Sequence, residues 1–156
     1  DHTLLAVNPE LVEKLAVRDE RLIPLASPEQ AASLPALQRD GQAIPLVGYP
    51  EDSVLGSILR DEILAISNTR FTLAAMTAFS PAVMELCEKG LGMAWLPERL
   101  AAEKMASGRL VRLMDTAAFP ELSMRVTMLR VRTRTTGFVN TAWDTLRLLF
   151  RGIPND

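Results

Sequence analysis

His2 and Cys87 are the only imidazole and the only thiol in this chain of 156 residues, and that scarcity bounds the chemistry open to it. One histidine and one cysteine do not make a structural zinc site, which takes four nitrogen or sulfur ligands. A Ser-His-Asp arrangement would have to fold His2 back onto a hydroxyl such as Ser80. No Gly-x-Ser-x-Gly elbow, Walker loop or His-Glu-x-x-His helix accompanies it. The glycines of Gly90-Leu-Gly-Met-Ala-Trp95 do not form a dinucleotide loop either. That fingerprint needs a strand before it, a helix after it and a small residue where Trp95 stands. The expectation is a protein that binds and does not catalyse, without metal or cofactor.

Binding has better candidates. Thr77, Ala78, Phe79 and Ser80 join a predicted strand over 70–76 to a helix opened by Ser80-Pro81. Free backbone N–H groups and the helix dipole at such a junction favour anions and polar oxygens. Ser80 could equally serve only as the cap of its own helix. Tyr49 and Ser53, around Glu51-Asp52, form a second junction of the same kind, though two acids make it less inviting to a carboxylate. The alternation Arg130-Val-Arg-Thr-Arg134 aligns three guanidiniums, either as a solvated strand face or as an anion site or dimer contact. Met76, Met84, Met93, Met105, Met114, Met124 and Met128 are expected to fill core gaps.

The elements that must position these residues alternate. Residues 3–7 read as a strand stopped by Asn8-Pro9, followed by a short helix presenting Leu11, Val12 and Leu15. Residues 21–26 read as extended, because Pro24 forbids a helix interior. Ser27-Pro28-Glu29-Gln30 has the pattern of a capping box with Gln30 reaching back to the cap, and Pro35 is expected to limit the segment after it to short helical pieces. A strand over 44–49 precedes a helix capped by Asp52 or Ser53, with Val54, Leu55, Ile58, Leu59 and Ile63 on one face. After the Ser80-Pro81 helix, ended by Gly90, come a strand over 92–97, a helix from Pro97 to Gly108 and a strand at Leu110, Val111 and Leu113. Residues 123–131 read as a strand. Val139, Ala142, Trp143, Leu146, Leu149 and Phe150 mark the last helix. Strands alternating with helices predict an α/β fold.

Composition agrees with a globular domain: 48 % apolar, 23 % charged, net charge −2. Nothing in that balance draws the chain to nucleic acid or to an anionic membrane. No apolar run reaches the ~18–20 residues of a membrane helix. The start at Asp1-His2-Thr3, running at once into Leu4, Leu5, Ala6 and Val7, reads as a cut inside a larger protein. A reducing cytoplasm suits the single cysteine.

The stretch Leu86-Cys-Glu-Lys-Gly-Leu-Gly-Met-Ala-Trp-Leu-Pro-Glu-Arg-Leu100, followed by Ala106-Ser-Gly-Arg-Leu-Val-Arg-Leu113, resembles the effector domains of LysR-type transcription regulators. There a helix ends in a Gly-x-Gly turn, enters a strand, meets Pro at the next helix, and is followed by Ser-Gly-x-Leu-Val. The resemblance extends over the whole chain. It implies a periplasmic-binding-protein type II fold: two α/β lobes with crossing strands, the opening ~50–60 residues of the first lobe lying upstream. On that register residues 1–23 are the end of lobe I and a crossing strand. Residues 24–122 are lobe II, and residues 123–156 are the return strand and C-terminal helix of lobe I. The resemblance further implies a small-molecule effector in the cleft at Thr77–Ser80, a homo-dimer or tetramer, and DNA contact only through an upstream helix-turn-helix. Gly-Met-Ala-Trp-Leu-Pro-Glu and Arg-Thr-Arg-Thr-Thr…Ala-Trp resemble the hypochlorite-responsive branch in particular, which makes methionine oxidation an alternative signal. A solute-binding protein serving a transporter and a purely dimerising module are the rival readings.

Overall fold

The computed structural model describes residues 12–65, 69–114, 118–132 and 136–151. It forms two compact units, Arg21–Ser123 on the one hand and Asp1–Glu20 with Met124–Asp156 on the other.

The larger unit is built around the second half of β1 (Val12–Ala26). β4 (Ala94–Pro97) and β5 (Val111–Arg112) flank it, both antiparallel, with Ile23 opposite Leu96 and Leu25 opposite both Ala94 and Arg112. β2 (Ile44–Gly48) and β3 (Phe71–Met76) pair in parallel, with a bulge between Leu46 and Val47. Parallel neighbours need a crossover, supplied here by α2 (Val54–Leu59) and the π-helical turn Arg60–Leu64 that continues it. β2 also reaches the strand leading into β4, for Val47 N–H donates to Met93 O at 2.8 Å and Met93 N–H to Pro45 O at 2.9 Å. α1 (Pro28–Arg39), α3 (Ser80–Glu88) and α4 (Glu98–Ala106) complete the unit.

Two glycines make the turn between α3 and β4. Gly90 sits at φ +76°, a left-handed conformation that side chains resist. At Gly92 a Cβ would come within 2.9 Å of Pro45 O, so only glycine lets the chain approach β2 this closely. The core follows from the continuous apolar runs of β1, β2 and β4. Leu22, Ile23, Leu25, Ile44, Val47, Val83, Met93, Leu96 and Leu110 are buried around Trp95. The Trp95 indole N–H donates to Pro120 O at 2.8 Å, and Phe71 meets its ring edge-on at 5.8 Å. Each fully buried side chain of this kind contributes about 1.5–3 kcal/mol.

The smaller unit holds the first half of β1, β6 (Leu122–Val131), which pairs with β1, and α5 (Gly137–Leu149). Thr136 caps α5 by accepting Val139 N–H. Among the described residues no helix is long and apolar enough to cross a membrane.

The α/β alternation expected from sequence is present, with three local corrections. Val12 and Leu15 lie in β1 and not in a helix. Apolar residues three apart suit a helix, but strand pairing with β6 decides the matter, a tertiary choice that local spacing does not encode. The expected strand over 3–7 lies outside the described residues. Pro35 does not break α1, which runs unbroken through it. Pro35 is exposed, and the α1 face carrying Leu34 and Gln30 stays packed on the core. The capping box is half formed: Ser27 Oγ accepts Gln30 N–H at 3.3 Å, while the buried Gln30 Oε1 accepts no hydrogen bond.

Candidate functional site

The β3–α3 junction brings most of the expected binding residues together. Thr77 N–H donates to Gly48 O at 3.2 Å, which docks the end of β3 on the end of β2. Thr77 Oγ1 then accepts Phe79 N–H at 3.3 Å, tightening the turn into α3. Phe79, not Ser80, is the cap residue of α3, and no side chain caps it. Ser80 is already helical, because Pro81 behind it suits the first turn. The expectation that Ser80 might serve only as a cap is therefore corrected. Its side chain lies near enough to Tyr49 to oppose part of the rise in the phenol's pKa.

Tyr49 is buried and donates its hydroxyl to Trp95 O at 3.2 Å. Burial pushes the phenol up to about 12, and the hydrogen bond from Ser80 offsets only part of that. Tyr49 is thus a neutral donor throughout the ordinary pH range, fixed on Trp95 O beside the junction. Ala78 and Phe79 are exposed, Phe79 by 66 %. A junction with an open surface and a helix N-terminus can hold a ligand.

Ser53 stands differently. Its hydroxyl accepts Gly56 N–H at 3.0 Å and donates to Pro50 O at 2.7 Å, so both functions are engaged in the cap of α2.

The sulfur atoms separate by exposure. Met84 and Met93 are buried, and Met105 packs against the core. Met76, Met114 and Met128 are exposed, Met114 by 82 %, which corrects the expectation that all seven fill the core. Cys87 is buried with Sγ 3.4 Å from Leu25 O, and burial pushes its thiol up to about 12. Burial and a raised thiol both disfavour its oxidation.

Arg130 is not part of a solvated face. It pairs with Glu13 through Nε at 2.7 Å and Nη2 at 2.6 Å and lies 4.8 Å over the Trp143 ring. Arg132 is exposed, and Arg134 lies outside the described residues. Sequence reading missed this cluster, because Glu13 fell within the segment expected to be helical. Also missed was an apolar pocket of about 220 Å³ between β3 and the α2 crossover, lined by Tyr49 and Met76 among others. The run of apolar residues over 71–76 could have signalled it, since an edge strand has less reason to be apolar. Among the described residues no three His, Cys, Asp or Glu side chains are grouped to hold a metal ion.

Comparison with known proteins is consistent across sequence and structure. Residues 3–149 match the LysR substrate binding domain. Over 106 residues, 67 % of this chain, it is 27 % identical both to the HTH-type transcriptional regulator YjiE of Escherichia coli K12 and to the HTH domain-truncated transcriptional regulator QseD of Escherichia coli O157:H7. The match spans 34 % of the first relative's length and 43 % of the second's. The bromide-bound regulatory domain of HypT from Salmonella typhimurium superposes with a TM-score of 0.76 at 20 % identity, over 98 % of this chain and 70 % of that one. Full-length LysG from Corynebacterium glutamicum with bound effector Arg gives 0.66 at 20 % identity, over 90 % and 47 %. At this identity the structural likeness speaks for the fold.

Proposed function

The chain belongs to the LysR substrate binding domain family, of periplasmic-binding-protein type II-like α/β fold, and we propose that it senses a small effector for a LysR-type transcription regulator. The signal enters at Thr77–Ser80 in lobe II, residues 24–122, while residues 1–23 and 123–156 belong to lobe I. Differential affinity for two lobe arrangements passes to a separate helix-turn-helix, the only part that touches DNA. The protein works in the cytoplasm and catalyses nothing.

One observation carries this reading: within a chain matched to the family over residues 3–149, the β3–α3 junction offers an exposed helix N-terminus beside the buried Tyr49. An anionic or polar effector suits it, because helix N-terminal N–H groups recognise oxyanions and halides. The exposed Met76, Met114 and Met128 support hypochlorite as an alternative signal, since sulfoxide formation needs access to sulfur. Homo-dimerisation is supported by β3, whose only strand partner among the described residues is β2, and by the exposed Leu73 and Phe79 near it.

The test is thermal. Titrating the full chain with carboxylates, amino acids, halides and hypochlorite is expected to raise its melting temperature with one class, and Ser80→Ala with Tyr49→Phe is expected to abolish that rise. No shift with any of them would sink the sensing role and leave a structural module.

A further inference from the structure

Across the larger unit the strands follow the order β3, β2, β4, β1, β5, with the bonds between Val47 and Met93 joining β2 to the strand leading into β4. A hollow of about 380 Å³ lies at the β5 side, where α1 meets Leu113 and Phe119. It is at the opposite edge from β3, so a second copy seated on β3 leaves it open. We propose that this hollow binds an uncharged molecule of one or two rings that carries an N–H or O–H group. It shares no residue with Thr77–Ser80 and does not rest on the sensing role.

The floor sets the apolar part of that class. Leu34, Leu113 and Phe119 are almost fully buried and belong to the core. The backbone beneath them is tied down. Leu113 N–H donates to Pro24 O at 3.0 Å, and the Trp95 indole N–H donates to Pro120 O, next to Phe119, at 2.8 Å. Small-molecule sites are commonly apolar hollows of ~300–1,000 Å³, and this one sits at the small end.

Pro35 sets the polar part. It stands inside α1 and has no N–H. The carbonyl of Ala31, which in a regular helix accepts from the residue four positions on, is denied that donor. It points along the helix toward Pro35, and both residues border the hollow. Proline is the least favourable residue for a helix interior, and what it yields here is a backbone acceptor above an apolar floor. Gln38 adds a carboxamide at the rim. A ring with one donor hydrogen suits this pairing.

The electrostatics exclude acids. Arg112 is the one charged side chain among the described lining residues, and it is already engaged. Its Nε donates to Glu121 at 2.5 Å and its Nη1 to Glu98 at 3.2 Å. A carboxylate entering the hollow would have to displace one of these acids.

Fluorine NMR of 5-fluoroindole with the full chain tests the proposal. Saturable binding with a Kd of about 1 mM or tighter is expected. 1-Methyl-5-fluoroindole, which lacks the N–H, should bind about fivefold more weakly. 5-Fluoroindole-2-carboxylate should bind at least about tenfold more weakly, because an unpaired carboxylate resists apolar burial. Pro35→Ala returns an amide to the Ala31 carbonyl and should bring the two neutral probes within about twofold of each other, with the melting temperature no lower. A merely structural proline would not move that ratio. Ala31→Leu fills the hollow from its wall and should weaken both probes by about tenfold. If that variant does not fold, the probe ratio in Pro35→Ala decides alone. Ser80→Ala and a tenfold rise in protein concentration should each leave the Kd within about twofold, which separates this site from the effector junction and from the β3 edge. Absence of saturable binding, equal binding of the carboxylate, a probe ratio that survives Pro35→Ala, or loss in Ser80→Ala or on self-association would each overturn the proposal.

Discussion

Each of the two units is held together internally by a different force. The connected core of buried apolar side chains, from Ile23 through Phe119, lies wholly within Arg21–Ser123. In the smaller unit the described buried apolar residues are Leu15, Ala16 and Trp143, and the polar contacts between α5 and the strands centre on charge. Glu13 on β1 receives both Arg130 from β6 and Arg147 from α5. Arg130 also donates to Asn140 at 3.1 Å and covers Trp143. α5 meanwhile leaves Phe138, Leu148 and Leu149 exposed. Burial of hydrocarbon is insensitive to salt and pH, whereas ion pairs are screened by one and titrated by the other. The smaller unit should therefore loosen first, under conditions that leave the larger one intact.

The comparison can be broken most forcefully at Trp95. Trp95→Ala removes the largest side chain of the core and the bond to Pro120, and should cost about 3–5 kcal/mol in denaturant unfolding. A loss below about 1 kcal/mol would mean that this core is not the source of stability. Gly90→Ala is next. Its left-handed φ should cost about 1–2 kcal/mol although the Cβ itself meets only Ser27 Oγ at 3.5 Å. Equal stability would show that the turn relaxes.

The charged unit answers to gentler changes. Glu13→Gln should cost about 1 kcal/mol, because the pairs are partly screened by solvent, and should speed hydrogen exchange in α5 but not in β1 around Ile23. Partial burial opposes ionisation of Glu13, yet Arg130, Trp143 and Arg147 outweigh it and hold the carboxyl below its ordinary value. A lowered folded-state value means that the stabilisation is full above the unfolded pKa, near 4.5, and is lost as pH falls through the folded one. Acidification below pH 4.5 should thus release α5 before the core opens, and about 1 M salt should act in the same direction. Circular dichroism with exchange mass spectrometry distinguishes this order from a single concerted transition. The least effect on stability is expected from mild hypochlorite, which should oxidise Met76, Met114 and Met128 before Met84 and Met93 and leave Cys87 unmodified, as read by peptide mass spectrometry.

Much of this architecture was legible in residue order. The glycines at 90 and 108, the prolines at 28, 81 and 97, and Ser53 mark element ends through local chemistry, and local chemistry is written in sequence. Val12 and Leu15 were not legible, since pairing with β6 and the Glu13–Arg130 contact join residues 117 positions apart. The same holds for the site. The β3–α3 junction was visible from Thr77 to Pro81, while the docking of Thr77 N–H on Gly48 O depends on how β2 and β3 lie side by side. The pocket beside β3 was only partly legible: the apolar run over 71–76 hinted at it, while the π-helical turn and the bulge beside it have no sequence signature.

The most direct test of the sensing account is amide NMR of the full, nitrogen-labelled chain titrated with the ligand class that raises its melting temperature. Saturable shifts greatest at the N–H groups of Thr77, Ala78, Phe79 and Ser80 are predicted. Shifts that leave these four unmoved while others respond would contradict it.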